Sequence, residues 1–254
     1  MAFNKNSNGF TFFFAIAMVV IVGAVLAVTS VSLKPLQKAN RAEKKMINIL
    51  GAIGIPAERG GAADVFAQYV TSRVAIDSEG NEVGRMTGDV DASNMEDPFN
   101  IDIKKDFRSK APSSELSFPL FESVNAEGKQ LFVVPVVGTG LWGPIWGFLA
   151  LESDGTTIYG AVFDHKTETP GLGAEIKEGF FQVKFEGKKI DTEGSPYFEV
   201  RKGGAVTDEH SVDGITGGTI TSKGVGRMID RTMGYYMKYF AAQSAAQASA
   251  QTTE

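Results

Sequence analysis

The sequence predicts an α+β fold: a largely antiparallel sheet with flanking helices, preceded by one N-terminal transmembrane helix. Three observations carry this. The run from Phe10 to Leu33, "FTFFFAIAMVVIVGAVLAVTSVSL", has no charged side chain. Six later runs are rich in aromatic and β-branched residues and are separated by Gly, Asp and Asn turns, with only short helical pieces between them. The last long segment, "VGRMIDRTMGYYMKYF", places Val225, Met228, Ile229, Thr232, Met233, Tyr236 and Phe240 on one helical face.

Each element follows in order. At ~1.5 Å per residue, the run from Phe10 to Leu33 is long enough for a ~30 Å hydrocarbon core. It exceeds the apolar core of a cleaved signal peptide, so it is expected to be an uncleaved anchor over residues 1–33. It has no ionisable group with which to form an ion path. Beyond it, Leu36, Ala39, Glu43, Met46, Ile47 and Leu50 give an imperfect helical stripe that ends near Gly51 and Gly54. "ADVFAQYV" reads as a short helix, and Asp77 to Ser114 as loops with short elements. The expected strands are "LSFPLFE", "LFVVPVVG", "WGFLALE", "IYGAVFD", "FFQVKFE" and "PYFEVRK", with "GAEIKEGF" a helical piece among them. "AAQSAAQASAQTTE" reads as a frayed polar tail.

Composition excludes several functions. The chain has no cysteine and two histidines, His165 and His210. Disulfide frameworks, thiolate metal sites and a thiol nucleophile are ruled out, and redox chemistry would need an organic cofactor. The formal net charge of −5 argues against nucleic acid as a partner. "GTGLWG" (Gly138 to Gly143) fits a dinucleotide-binding spacing, but Pro144 and another strand-like run follow where a helix should open. Lys5 alone precedes the apolar run, whereas Lys34, Lys38, Arg41, Lys44 and Lys45 follow it. Read literally, that balance puts the main domain in the cytoplasm, although the rule is weakest for long translocated domains.

The stretch "VDGITGGTITSKGV" (Val212 to Val225) sets hydroxyl and carboxylate side chains around two adjacent glycines. Thr221 or Ser222 is the expected N-cap of the last helix, which puts Thr219 just before a helix N-terminus, where free amides favour an anion. Gly217 and Gly218 allow positive φ or close backbone approach. The stretch reads either as a phosphate cradle exposing a threonine hydroxyl, or as a hydroxyl-rich helix cap with no ligand.

These residues carry a resemblance. Asp213-Gly214-Ile215-Thr216-Gly217-Gly218-Thr219 resembles the D-x-x-[S/T]-G-A-T flavinylation motif, with Gly218 in place of alanine. "TETPGLG" (Thr167 to Gly173) resembles a second motif of the same FMN-binding domain. "GLWGPIWGFLALE" and "LKPLQKANRAEKKMINIL" look like the C subunit of the Na+-translocating NADH:quinone reductase, so the resemblance runs from the anchor to the final helix. The G subunit of the Rnf electron transport complex shares the anchor and motifs and is the alternative. A flavin-free anchored binding domain is the alternative of another class.

The resemblance implies FMN esterified through its phosphate to Thr219 by a flavin transferase that draws on FAD. It implies a single-pass protein of the inner membrane, with residues 34–254 periplasmic and the FMN-binding region at about 115–240. It also implies a one-electron relay among the membrane subunits of a complex that is catalytically complete only when assembled. Around the flavin, Asp213 is expected to serve transferase recognition or to cap the turn. Thr216, Gly217, Gly218 and Thr221 belong to the motif. Thr169, Gly171 and Leu172 are expected against the ring, with backbone amides meeting its edge. Leu141 and Trp142 read as an apolar wall or as core packing. Glu168 reads as a carboxylate that tunes the flavin or as a solvated strand-end charge. Lys202 reads as a counter-charge to the phosphate or as a surface lysine. Asp164 and His165 are expected to be structural.

Overall fold

The computed structural model describes residues 7–106, 116–203 and 208–251; Lys5 and the end of the Asp77–Ser114 region lie outside them. The chain divides into two compact units, Met1–Ala42 and Glu43–Glu254. Helix α1 (Asn8–Ala52) runs through the whole apolar stretch and on through Pro35 without a break. It is the one described helix long and apolar enough to cross a membrane. Its large apolar side chains from Phe12 to Leu36 are exposed. The post-anchor stripe is therefore one piece with the anchor, and it ends at Ala52 as the glycines suggest.

In the second unit, helix α2 (Ala62–Tyr69) leads into β1 (Val70–Ile76), followed by β2 (Glu82–Met86), β3 (Phe118–Val124), β4 (Gln130–Thr139), β5 (Pro144–Leu151) and β6 (Ile158–His165). These six strands form one sheet in the order β2-β1-β3-β4-β5-β6, and every neighbouring pair is antiparallel. At the outer edge, Arg85 of β2 bonds Glu82 at 2.8 Å and Glu122 of β3 at 2.7 Å. A one-turn helix α3 (Ile103–Asp106) precedes β3. The short strands β7 (Glu199–Arg201) and β8 (Ser211–Asp213) pair in parallel as a separate ribbon.

Two expectations give way here. "FFQVKFE" is helical: α4 (Gly179–Gln182) is followed by a 3-10 turn at Val183–Phe185. Phe181 and Phe185, four residues apart, are buried while Phe180 and Val183 are exposed, which is a helical rather than an alternating period. As far as Gln251 the tail is helical as well, because helix α5 spans Thr219–Gln251; alanine, the strongest helix former, dominates its last part.

Helix α5 packs chiefly on β4. Val225, Met228, Ile229, Thr232, Met233, Tyr236 and Phe240 are all buried, as the periodicity requires. The Tyr236 hydroxyl donates to the Pro119 carbonyl at 2.9 Å. Near the start of α5, a Cβ on Gly224 would stand 2.7 Å from the Thr139 carbonyl oxygen. That glycine lets the first turns of α5 rest directly on the end of β4, which fixes the helix N-terminus beside the β4–β5 turn.

Candidate functional site

The site is built from two turns of one kind. In Thr169-Pro170-Gly171-Leu172, the Leu172 amide donates to the Thr169 carbonyl at 3.1 Å and Gly171 has φ 76°. In Ile215-Thr216-Gly217-Gly218, the Gly218 amide donates to the Ile215 carbonyl at 3.0 Å and Gly217 has φ 80°. Positive φ at the third position is the signature of a type II turn and the reason for glycine there. Gly218 answers a different need. A Cβ on it would lie 2.8 Å from the Leu172 carbonyl oxygen, so its bare backbone lets the two turns touch. Glycine in place of the motif's alanine matches this close approach.

Thr219 is the first residue of α5, and the first helical bond runs from the Ser222 amide to the Gly218 carbonyl at 2.9 Å. The capping expectation is thus corrected: the helix starts earlier, and neither Thr221 nor Ser222 is its N-cap. Ser222 Oγ donates back to Gly218 O at 2.9 Å and accepts from the Ile215 amide at 2.9 Å, which ties the turn to the helix. Thr221 Oγ1 donates to Glu168 Oε2 at 2.5 Å. Both hydroxyls are buried and occupied. Thr219 is half-buried and Thr216 is exposed at the apex of its turn. The amides of Thr219, Ile220 and Thr221 precede the first helical bond and have no helical partner.

Glu168 joins the parts. It is 4% exposed, so it is no solvated strand-end charge. Besides Thr221 it accepts the Trp142 amide at 2.8 Å on Oε1, and its own amide donates to His165 Nδ1 at 3.2 Å. Among the described residues no cation pairs with it. A Cβ on Gly140 would meet Glu168 Oε1 at 2.6 Å, and one on Gly173 would meet Oε2 at 2.5 Å. The two glycines therefore let the β4–β5 turn and the Pro-Gly turn close around this carboxylate. Asp164 pairs with Lys44 at 2.5 Å and accepts the His165 amide.

Around this hub the apolar side chains face outward. Leu141 is 51% exposed, Trp142 67%, Leu172 43% and Ile220 55%. Core packing is excluded for Leu141 and Trp142. The amides of Gly171 and Leu172 are already used, the first by Glu175 Oε1 at 2.8 Å and the second by Thr169, so neither remains for a ring edge. Asp213 makes no side-chain bond within the turn; its Oδ1 is buried without a partner, and Lys184 Nζ reaches its carbonyl oxygen at 3.2 Å. Lys202 is exposed and lines a cleft with Lys223, in the first turns of α5. No charge or spacing signal in the sequence marks Ile220 or the hub role of Thr221.

Comparisons with known proteins agree with this arrangement. Residues 140–234 match the family model described as FMN-binding domain. The chain is 32% identical over 240 residues to the C subunit of the Na(+)-translocating NADH-quinone reductase of Vibrio anguillarum, covering 92% of this chain and 93% of that protein. It is 32% identical to the same protein of Neisseria meningitidis serogroup B, covering 88% of each. The crystal structure of the Parabacteroides distasonis relative superposes with a TM-score of 0.69 at 35% identity, covering 82% of this chain and 96% of that one. The crystal structure of Shewanella oneidensis NqrC shares the fold, with a TM-score of 0.63 at 24% identity over 83% of this chain and 99% of that one. The chain therefore belongs to the C-subunit family of the Na+-translocating NADH-quinone reductase, an oxidoreductase complex.

Proposed function

We propose that this chain carries FMN esterified through its phosphate to Thr219 and relays electrons between subunits of the reductase. One observation carries the proposal. Of the hydroxyls in the motif, Thr219 alone combines partial exposure with a place in the first turn of a helix, beside amides that have no helical partner. Those amides and the helix dipole suit a phosphodiester. Gly217 and Gly218 leave room where Cβ atoms would stand against Leu172. Bound FMN would supply reversible electron transfer at this place.

The protein's part is to hold and shield. Leu141, Trp142, Leu172 and Ile220 offer exposed apolar surface beside Thr219 that a flat ring would cover. Glu168 sets the spacing by fixing the Trp142 amide and the Thr221 hydroxyl on one carboxylate. Helix α1 anchors the chain in the inner membrane, with the second unit in the periplasm and the other reductase subunits as partners. The length of that unit outweighs the lysines that follow the apolar run.

Peptide mapping by mass spectrometry, after coexpression with a flavin transferase, tests the attachment. The added mass is expected on Thr219, and Thr219→Val should abolish the flavin fluorescence of the denatured band. Flavin on Thr216, Thr221 or Ser222, or no added mass at all, would refute the proposal. An export-dependent reporter fused after Glu254 should be active; a silent one would place the domain in the cytoplasm.

A further inference from the structure

Helix α1 bears charge at one end of its apolar run. From Ser7 to Leu33 there is no charged side chain, and Lys34, Lys38 and Arg41 then follow over about two turns. All three are exposed, and among the described residues none of them forms an ion pair. No acid precedes Glu43 in the sequence, and Glu43 itself accepts the Gly60 amide. The next two cations differ. Lys44 pairs with Asp164 at 2.5 Å and Lys45 donates to Phe99 O at 2.5 Å, so the second unit engages both. Lys34, Lys38 and Arg41 belong to the first unit, which holds no acid to answer their charge.

Their spacing makes a stripe. Residues 34, 38 and 41 are four and three apart, so they lie within about 60° of one another around the helix axis. Glu43 stands about half a turn away from Lys34. Helix α1 continues through Pro35, so the stripe keeps a fixed bearing on the apolar run.

Height selects what the stripe meets. Along the axis, Lys34 is about 1.5 Å beyond Leu33, Lys38 about 8 Å and Arg41 about 12 Å. A bilayer with a hydrocarbon core of about 30 Å and a total thickness of about 40–45 Å has a headgroup layer of about 5–8 Å on each side. Helix tilt lowers the three heights slightly. The Cα–Cβ bonds of a helix lean toward its N-terminus, which here is toward the apolar run. That lean carries the long side chains of Lys38 and Arg41 back to the headgroup layer, with their stems along the helix and their charges among phosphates. Acids on a protein neighbour could meet cations at any height. Three cations gathered on one thin layer match lipid.

We infer that Lys34, Lys38 and Arg41 form a binding face for the phosphates of anionic phospholipids in the adjacent leaflet. The inference rests on α1 crossing a membrane, and it is independent of the side on which the second unit lies. Held from one face, α1 is fixed in rotation about its axis as well as in depth. Cations that by count alone oppose translocation then have a use where they stand.

The full-length chain, reconstituted in phosphatidylcholine bilayers with a minor share of phosphatidylglycerol, tests it. Spin-labelled phosphatidylglycerol and spin-labelled phosphatidylcholine report which lipid the helix immobilises. Each cation near an anionic surface is worth about fivefold. Averaged over lipids that touch no cation, a preference of about threefold for phosphatidylglycerol is expected. It should vanish in Lys34→Gln with Lys38→Gln and Arg41→Gln, and survive in the charge-keeping set Lys34→Arg, Lys38→Arg and Arg41→Lys. In the wild type it should also fade at about 1 M salt, where the Debye length is about 3 Å. Immobilised lipid without a headgroup preference overturns the inference alone. So does a preference that persists in the triple glutamine variant. If that variant instead loses the other reductase subunits while the wild type shows no lipid preference, the stripe binds acidic groups of a protein neighbour. No immobilised lipid of either kind removes the membrane reading of α1, and the inference with it.

Discussion

Two buried carboxylates in this protein are held in opposite ways. Asp97 and Arg73 are each about 1% exposed and meet through two bonds, Nε to Oδ1 at 2.8 Å and Nη2 to Oδ2 at 2.9 Å. Two further guanidinium hydrogens reach the carbonyls of Gly88 and Asp89, and Asp97 Oδ1 also accepts the Phe99 amide at 2.9 Å. Charge meets charge and four of the five guanidinium donors are used, in the fork geometry that makes such pairs specific. Among the described residues no cation pairs with Glu168; an amide and a hydroxyl hold it. The first arrangement fixes a strand to a loop and does nothing more. The second gathers the β4–β5 turn, the Pro-Gly turn and the start of α5 at the place where the ligand is proposed.

The contrast can be broken by substitution. Asp97→Ala leaves Arg73 buried without a counter-charge, a change that costs about 3–5 kcal/mol. Chemical denaturation of the full chain should show a loss of that size. The attached flavin's absorption should stay that of the wild type in the fraction that folds. Glu168→Gln keeps one acceptor oxygen and the shape of the side chain, so the stability loss should be only about 1–2 kcal/mol. Here the flavin spectrum and midpoint potential should change. If Asp97→Ala alters the spectrum and Glu168→Gln does not, the roles assigned to the two carboxylates are reversed.

A third measurement sharpens the charged side of the contrast. Lys45 Nζ donates to Phe99 O at 2.5 Å, next to the Arg73–Asp97 pair. Burial lowers its pKa from 10.5 to about 8, against the attraction of Asp102 and Asp97. Below about pH 8 the folded and unfolded chains both hold the proton, and the burial penalty is constant. Between about 8 and 10.5 the unfolded chain binds more protons, so stability rises with pH. The rise should be on the order of 1–3 kcal/mol, and it should vanish in Lys45→Met while persisting in Glu168→Gln. A wild-type stability that is flat or falling relative to Lys45→Met across that window would show that Lys45 is not desolvated.

Much of the fold was legible because the strands and the last helix are periodic and most of their buried side chains are apolar. The face of α5 was readable residue by residue. Strand β1 was not, because Ser72 and Arg73 interrupt its apolar pattern, and Arg73 is buried only by virtue of Asp97, which is distant in sequence. The helical piece over "FFQVKFE" is too short for its three phenylalanines to settle the period. At the site, Gly217 and Gly218 could be read as turn and close-approach residues, and the structure divides those two roles between them. The start of α5 was misplaced because the hydroxyls of Thr221 and Ser222 resemble caps in sequence, yet they turn to Glu168 and Gly218. The hub itself joins residues far apart in the chain, and no local pattern announces it.

Strand β2 has a consequence of its own. It closes one side of the sheet, and its outward row of backbone amides and carbonyls is a template on which a strand from another molecule can grow. Its side chains are mostly exposed; Glu82 puts a charge at that border, held by Arg85, whose guanidinium reaches inward across β1 to Glu122 of β3. In the membrane-anchored chain proposed above, neighbours would meet at high local density and in repeated orientations. Under those conditions, a short edge strand carrying a charge works against like molecules adding edge to edge into aggregates.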